Sequence, residues 1–201
     1  MRVTQADSYA EQRDSISHDW IIQLDDWGMI PLLIPNSLSE PSSYLDRLAP
    51  DLLILTGGDD LGKTPERDRN EANLLQHAIK TDLPVLGICR GLQLINLYFS
   101  GHSSSVANHV ATRHAIDIHE PLSTLYGNTV HVNSYHSSSI PKDGLGDGLI
   151  AAGFDKDGMI EAALHEDKPI AGIMWHPERA AGLKEDGVLL ERLALEGAFW
   201  Q

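Results

Sequence analysis

The segment Gly87-Ile88-Cys89-Arg90-Gly91-Leu92-Gln93 restricts the folding of this chain more than any other. It follows the apolar run Pro84-Val85-Leu86, which reads as a buried strand, and it leads into residues with helical spacing. Glycines two places before and two places after Cys89 suit a sharp strand-to-helix turn, where the backbone doubles back and a β-carbon is crowded. A side chain at the tip of such a turn is held out towards a ligand. The turn also places the Cys89 sulfur at a helix N-terminus, whose partial positive charge favours thiolate over thiol.

Around this turn, short apolar runs alternate with amphipathic stretches, as expected for parallel strands joined by crossover helices. Residues 29–34, 51–55 and 84–88 read as strands. Glu11 to Trp27 reads as a helix burying Ile16, Trp20 and Leu24. Arg67 to Lys80 reads as a second, burying Leu74, Leu75, Ala78 and Ile79. Beyond residue 125 the pattern changes to strand-like pieces at 130–133, 149–154, 160–164 and 170–175. Hairpin turns are expected at Asp155-Lys156-Asp157-Gly158 and Glu166-Asp167-Lys168-Pro169. Lys184 to Trp200 closes the chain as a helix. The expected fold class is α/β: a single domain over residues 1–201, with a central, mostly parallel sheet flanked by helices and a small antiparallel extension.

A thiol nucleophile needs a base, and the base needs a group to orient it. Trp175-His176-Pro177-Glu178 offers both, because residues i and i+2 of an extended segment project to one side and Pro177 keeps His176 out of the helical region. Leu55-Thr56-Gly57-Gly58 supplies two glycines directly after a strand, where backbone N–H groups can approach an oxyanion closely.

Composition sets outer limits. With 201 residues, 42% of them hydrophobic, the chain fills one core and is short for two ordinary domains. Its formal charge of −14 argues against a nucleic-acid or anionic-membrane surface. No apolar run approaches the roughly 20 residues that span a bilayer, and no signal-like segment opens the chain, so a cytoplasmic location is expected. Cys89 is the single cysteine, which excludes an internal disulfide. Six of the ten histidines (His102, His109, His114, His119, His131 and His136) fall in one stretch, but their irregular spacing matches no zinc pattern. No metal or other cofactor is expected.

Taken together and in this order, the three motifs resemble those of the class I glutamine amidotransferase family, over roughly residues 20 to 180. The resemblance implies that Cys89 attacks a γ-glutamyl carbonyl, His176 acts as general acid/base, Glu178 is its partner, and a γ-glutamyl thioester is hydrolysed. It puts the oxyanion at the amides of Gly58 and Arg90. It also makes Val132-Asn133-Ser134-Tyr135-His136 the loop that grips the substrate, with Gly57 and Gln93 assisting.

The reading Cys-Arg-Gly-x-Gln, with Val-Asn-Ser-aromatic-His, is similar to the free-standing γ-glutamyl amide hydrolases of that family, among them those acting on γ-glutamyl-γ-aminobutyrate. His109 to His114 is similar to hydrolases of γ-glutamyl-CDP-amidate in capsule phosphoramidate synthesis. Were the leaving group a cytidine diphosphoramidate, Arg113 and His114, or Arg67 and Arg69, would meet its phosphates. The partner implied is a small γ-glutamyl substrate. A homodimer is compatible with this reading, and a synthetase partner belongs to the alternative in which the chain is a glutaminase that supplies ammonia.

Overall fold

The computed structural model describes residues 1–106 and 109–201. In chain order, its strands are β1 (Arg2–Gln5), β2 (Gln12–Ser15), β3 (Leu53–Leu55), β4 (Val85–Ile88), β5 (Ser104–Ser105), β6 (Val110–Ile118), β7 (Thr129–Tyr135), β8 (Ser138–Ser139), β9 (Leu149–Asp155), β10 (Ile160–His165) and β11 (Ile170–Ile173). Its α-helices are α1 (His18–Asp26), α2 (Pro41–Leu48), α3 (Pro65–Thr81), α4 (Arg90–Tyr98), α5 (Ser123–Tyr126) and α6 (Lys184–Glu196). None of the described helices is long and apolar enough to cross a membrane.

Seven strands form the main sheet in the order β3-β4-β11-β10-β9-β6-β7. Its first three strands are parallel, and every later pairing is antiparallel. The α/β layout expected from sequence is therefore present, with an antiparallel extension larger than the sequence suggests. The extra strand is β6, which the sequence does not announce: six of its nine residues are exposed, and polar residues interrupt its apolar ones, so it lacks a continuous apolar run.

The parallel strands carry continuous apolar runs because both faces are covered. Leu86, Ile88, Ile173 and Trp175 pack with Trp20, Leu24, Leu189 and Leu193 in one cluster, while Leu53, Leu55, Val85 and Ile170 pack with Leu74, Leu75 and Ala78 in another. Register places Leu55 beside Gly87, and Ile88 beside Ile173, so β3, β4 and β11 end at one level. The crevice beyond the carboxyl ends of parallel strands is where α/β folds hold their ligands.

Two expected elements differ. Residues 11–27 do not form one helix: residues 12–15 pair with β1 as a hairpin, and α1 starts only after Ser17, whose side chain caps the Asp19 N–H at 3.2 Å. Residues 29–34 form no strand. Pro31 removes a ladder donor there, and this segment instead lines an apolar cavity of about 590 Å³ beside β3, whose lining does not include Cys89 or His176. Both expected hairpin turns are present, linking β9 to β10 and β10 to β11.

Candidate active site

At the end of β4 the backbone of Cys89 takes φ 52°, ψ −104°, a conformation that L-residues rarely adopt. It is held there from both sides. The Cys89 N–H donates to the Ile173 carbonyl at 2.7 Å, and α4 begins at the next residue. A β-carbon on Gly91 would lie 2.0 Å from the Leu55 carbonyl oxygen, and one on Gly87 would lie 2.7 Å from the backbone of Gly91 and Leu92. The two glycines are thus required by close backbone approach, as the sequence suggests.

Beyond β11 the chain continues through Trp175 to His176. Glu178 Oε1 lies 2.8 Å from His176 Nδ1, with both side chains about 4% exposed. A carboxylate at that distance fixes the ring and places the proton on Nδ1, leaving Nε2 to accept one. Gly57 makes room for the ring: a β-carbon there would sit 2.7 Å from His176 Cε1. The glycine turn after β3 and the imidazole after β11 therefore meet directly. Tyr135 packs edge-on against the same ring at 5.5 Å, and the Arg179 guanidinium covers the Tyr135 face at 4.0 Å.

The Cys89 thiol departs from the sequence expectation. Burial pushes its pKa from 9.0 up to about 12; the charges of Glu161 and Glu178 push the same way, against the Arg90 N–H and Arg179. Only 6% of the residue is exposed, so desolvation of a thiolate outweighs the helix N-terminus. The resting form is the thiol.

Several residues expected to touch substrate have internal partners instead. Asn133 clamps the backbone of His176, donating to its carbonyl and accepting from its N–H, each at 2.8 Å. Ser134 is fully buried and donates to the His109 carbonyl at 2.6 Å. Gln93 donates to the Ser138 carbonyl at 2.9 Å. His136 is buried against Glu161. Their side chains shape the site rather than line it, whereas Tyr135 and the Gly57 backbone remain partly exposed.

Of the expected phosphate contacts, Arg67 is 1% exposed, too buried for that role. It donates to the carbonyls of Thr56 at 2.8 Å and Gly57 at 3.1 Å and pairs with Glu71 at 2.7 Å. Glu71 in turn pairs with the Arg90 side chain, which also meets Asp68. This buried network ties α3 to the glycine turn and to the Cys89 turn, and leaves only the backbone of Arg90 for the site. Arg113 and His114 cannot share one phosphate, because neighbours on a strand point to opposite faces. Arg113 is exposed, while the His114 ring turns inward towards Glu161. Arg69 is exposed on α3.

Three contributors went unread in the sequence. Glu71 and Asp68 hold Arg90, and neither belongs to a motif. Asp186 accepts from Trp175 Nε1 and the Tyr126 hydroxyl, each at 2.9 Å, and from the Leu183 N–H at 2.8 Å. It thereby anchors the residue preceding His176; burial raises its pKa from 3.8 to about 6.

The Peptidase C26 family model matches residues 1–178. The chain belongs to the Peptidase C26 family. It is 34% identical over 198 residues to a γ-glutamyl-CDP-amidate hydrolase of Campylobacter jejuni, covering 94% of this chain and 92% of that protein. It is also 34% identical over 154 residues to one component of the glutamine-hydrolysing GMP synthase of Methanosarcina barkeri, covering 76% of each. Among solved structures, a putative GMP synthase component from Thermoplasma acidophilum superposes with a TM-score of 0.71 at 21% identity, covering 88% of this chain and 85% of that one. That likeness shows the fold. The family match and the sequence relatives make this Peptidase C26 member an amide hydrolase of the glutamine amidotransferase kind.

Proposed function

We propose that the chain hydrolyses a γ-glutamyl amide at Cys89, through a thioester. The observation that carries this reading is the meeting of three strand ends: Cys89 in a strained turn, His176 held by Glu178, and Gly57 giving way to the imidazole. Because the resting group is a thiol, His176 Nε2 accepts the proton as the sulfur attacks the γ-carbonyl carbon. The N–H groups of Gly58 and Arg90 stabilise the developing oxyanion. The C–N bond then breaks, the His176 proton goes to the departing nitrogen, and the acyl group remains on sulfur. Water, deprotonated by the same imidazole, cleaves the thioester and releases glutamate and the thiol.

The likeness to the Campylobacter protein favours γ-glutamyl-CDP-amidate as substrate, with cytidine diphosphoramidate leaving. Arg179, 37% exposed over Tyr135, is the arginine best placed to meet its phosphates. A second reading, ammonia supply to a synthetase, rests on the likeness to the GMP synthase component.

Glutamate release from glutamine, γ-glutamyl-γ-aminobutyrate and γ-glutamyl-CDP-amidate, with Cys89→Ala as control, tests both. Cys89-dependent turnover of a conjugate in preference to glutamine is the expected result. Turnover of glutamine alone, or only on adding a synthetase, establishes the second reading. Release that survives Cys89→Ala refutes both.

A further inference from the structure

The histidines that sequence spacing sets aside are gathered by the sheet. His114 lies on β6 and His109 immediately before it, His136 follows β7, and Glu161 lies on β10. His109, His114 and Glu161 each present a ligand atom, all within 4.8 Å of one another. His136 Nε2 is 3.4 Å from Glu161 Oε1, and His114 Nε2 is 3.6 Å from Glu161 Oε2. These separations exceed those of ordinary N–H···O hydrogen bonds, about 2.7–3.2 Å. They match the spacing of ligands around an ion: atoms each about 2.0–2.1 Å from a tetrahedral zinc lie about 3.4 Å apart.

Hydrogen-bond satisfaction points the same way. Glu161 is 0% exposed, yet among the described residues neither of its carboxylate oxygens has a hydrogen-bond partner, and the same holds for both His136 nitrogens and for His114 Nε2. The imidazoles of His114 and His136 face this buried carboxylate as its ion-pair partners, but at separations that leave room for an ion between them. His109 is oriented as metal-bound histidines commonly are. Its Nε2 lies 3.0 Å from Asp155 Oδ2, while Asp155 Oδ1 accepts from the Asp157 and Met159 N–H groups at 2.9 and 2.8 Å.

We propose that His109, His114 and Glu161 bind one divalent transition-metal ion such as Zn²⁺, with His136 flanking Glu161, clamping β6 and β10 together beside the candidate active site. Imidazole nitrogens with one carboxylate suit this class of ion, and Ca²⁺ or Mg²⁺ would demand oxygen ligands. The site stands on its own geometry, whether or not Cys89 is a nucleophile.

The test uses untagged full-length protein carrying Cys89→Ala, so that no thiol competes. After chelator stripping and dialysis, Zn²⁺ is titrated in against a chromophoric chelator, and metal content is measured by mass spectrometry. One equivalent with Kd of about 1 µM or tighter is expected, with a thermal midpoint that rises on Zn²⁺ addition. His114→Ala, at a partly exposed strand position, and Glu161→Gln should each weaken binding by about 100-fold with unchanged far-UV circular dichroism. His114→Ala decides the matter if Glu161→Gln does not fold. Absence of binding tighter than about 100 µM, or binding unaffected by His114→Ala, overturns the proposal.

Discussion

Raising pH in the presence of iodoacetamide isolates the electrostatics of Cys89, because it is the single cysteine of the chain and one mass shift reports its alkylation. Burial takes its pKa from 9.0 to about 12. At pH 8 an ordinary thiol of that starting value is about one-tenth thiolate, and Cys89 about one part in ten thousand, a loss of about a thousandfold. A more basic thiolate is also a better nucleophile. With a Brønsted slope of about 0.4–0.5, this returns about 20-fold, leaving Cys89 about 50-fold slower than a free thiol at pH 8. Restricted access to a buried sulfur slows it further without changing the pH profile. The rate should climb about tenfold per pH unit through pH 10, whereas a free thiol of pKa 9.0 gains less than about twofold between pH 9 and pH 10. Intact-mass kinetics from pH 6 to 10, with circular dichroism confirming the fold at each point, measures this. A plateau at or below pH 8 refutes the reasoning. It would mean that the helix N-terminus and His176 already hold a thiolate against the cost of burial.

Two further substitutions probe the supporting structure. Asn133→Ala orphans the buried N–H of His176 and removes one of the two donors to its carbonyl, the Arg179 N–H remaining at 3.2 Å; it should cost about 1–3 kcal/mol and lower the thermal midpoint by about 2–12 °C; a midpoint within a degree of wild type would show that Asn133 is no clamp. Arg179→Ala should raise KM about tenfold or more for a phosphate-bearing γ-glutamyl substrate and leave KM for glutamine within about twofold. Equal changes on both substrates would assign Arg179 to the shared glutamyl moiety.

The Cys89 turn is legible because its geometry forces glycine at fixed offsets, where no side chain fits. The His176–Glu178 pair is legible because extended backbone puts alternate residues on one side, and the structure places them 2.8 Å apart. β6 is not legible, since an antiparallel strand with one solvated face carries polar residues without a strong apolar run. Asn133, Ser134 and Gln93 sit in motif positions that suggest ligand contact, yet depth of burial turns their side chains to internal partners.

The sequence by itself determined the elements that depend on neighbours along the chain: apolar runs, glycine turns, and the two-residue spacing of base and carboxylate. Tertiary structure alone decided what depends on residues far apart. It set the acidity of Cys89, because desolvation and the charges of Glu161 and Glu178 come from the packed environment. It joined Arg67, Glu71, Asp68 and Arg90 into one buried network. It also brought His109, His114 and Glu161 within 4.8 Å of one another, with His136 beside Glu161, a spacing set by strand register and not by distance in sequence.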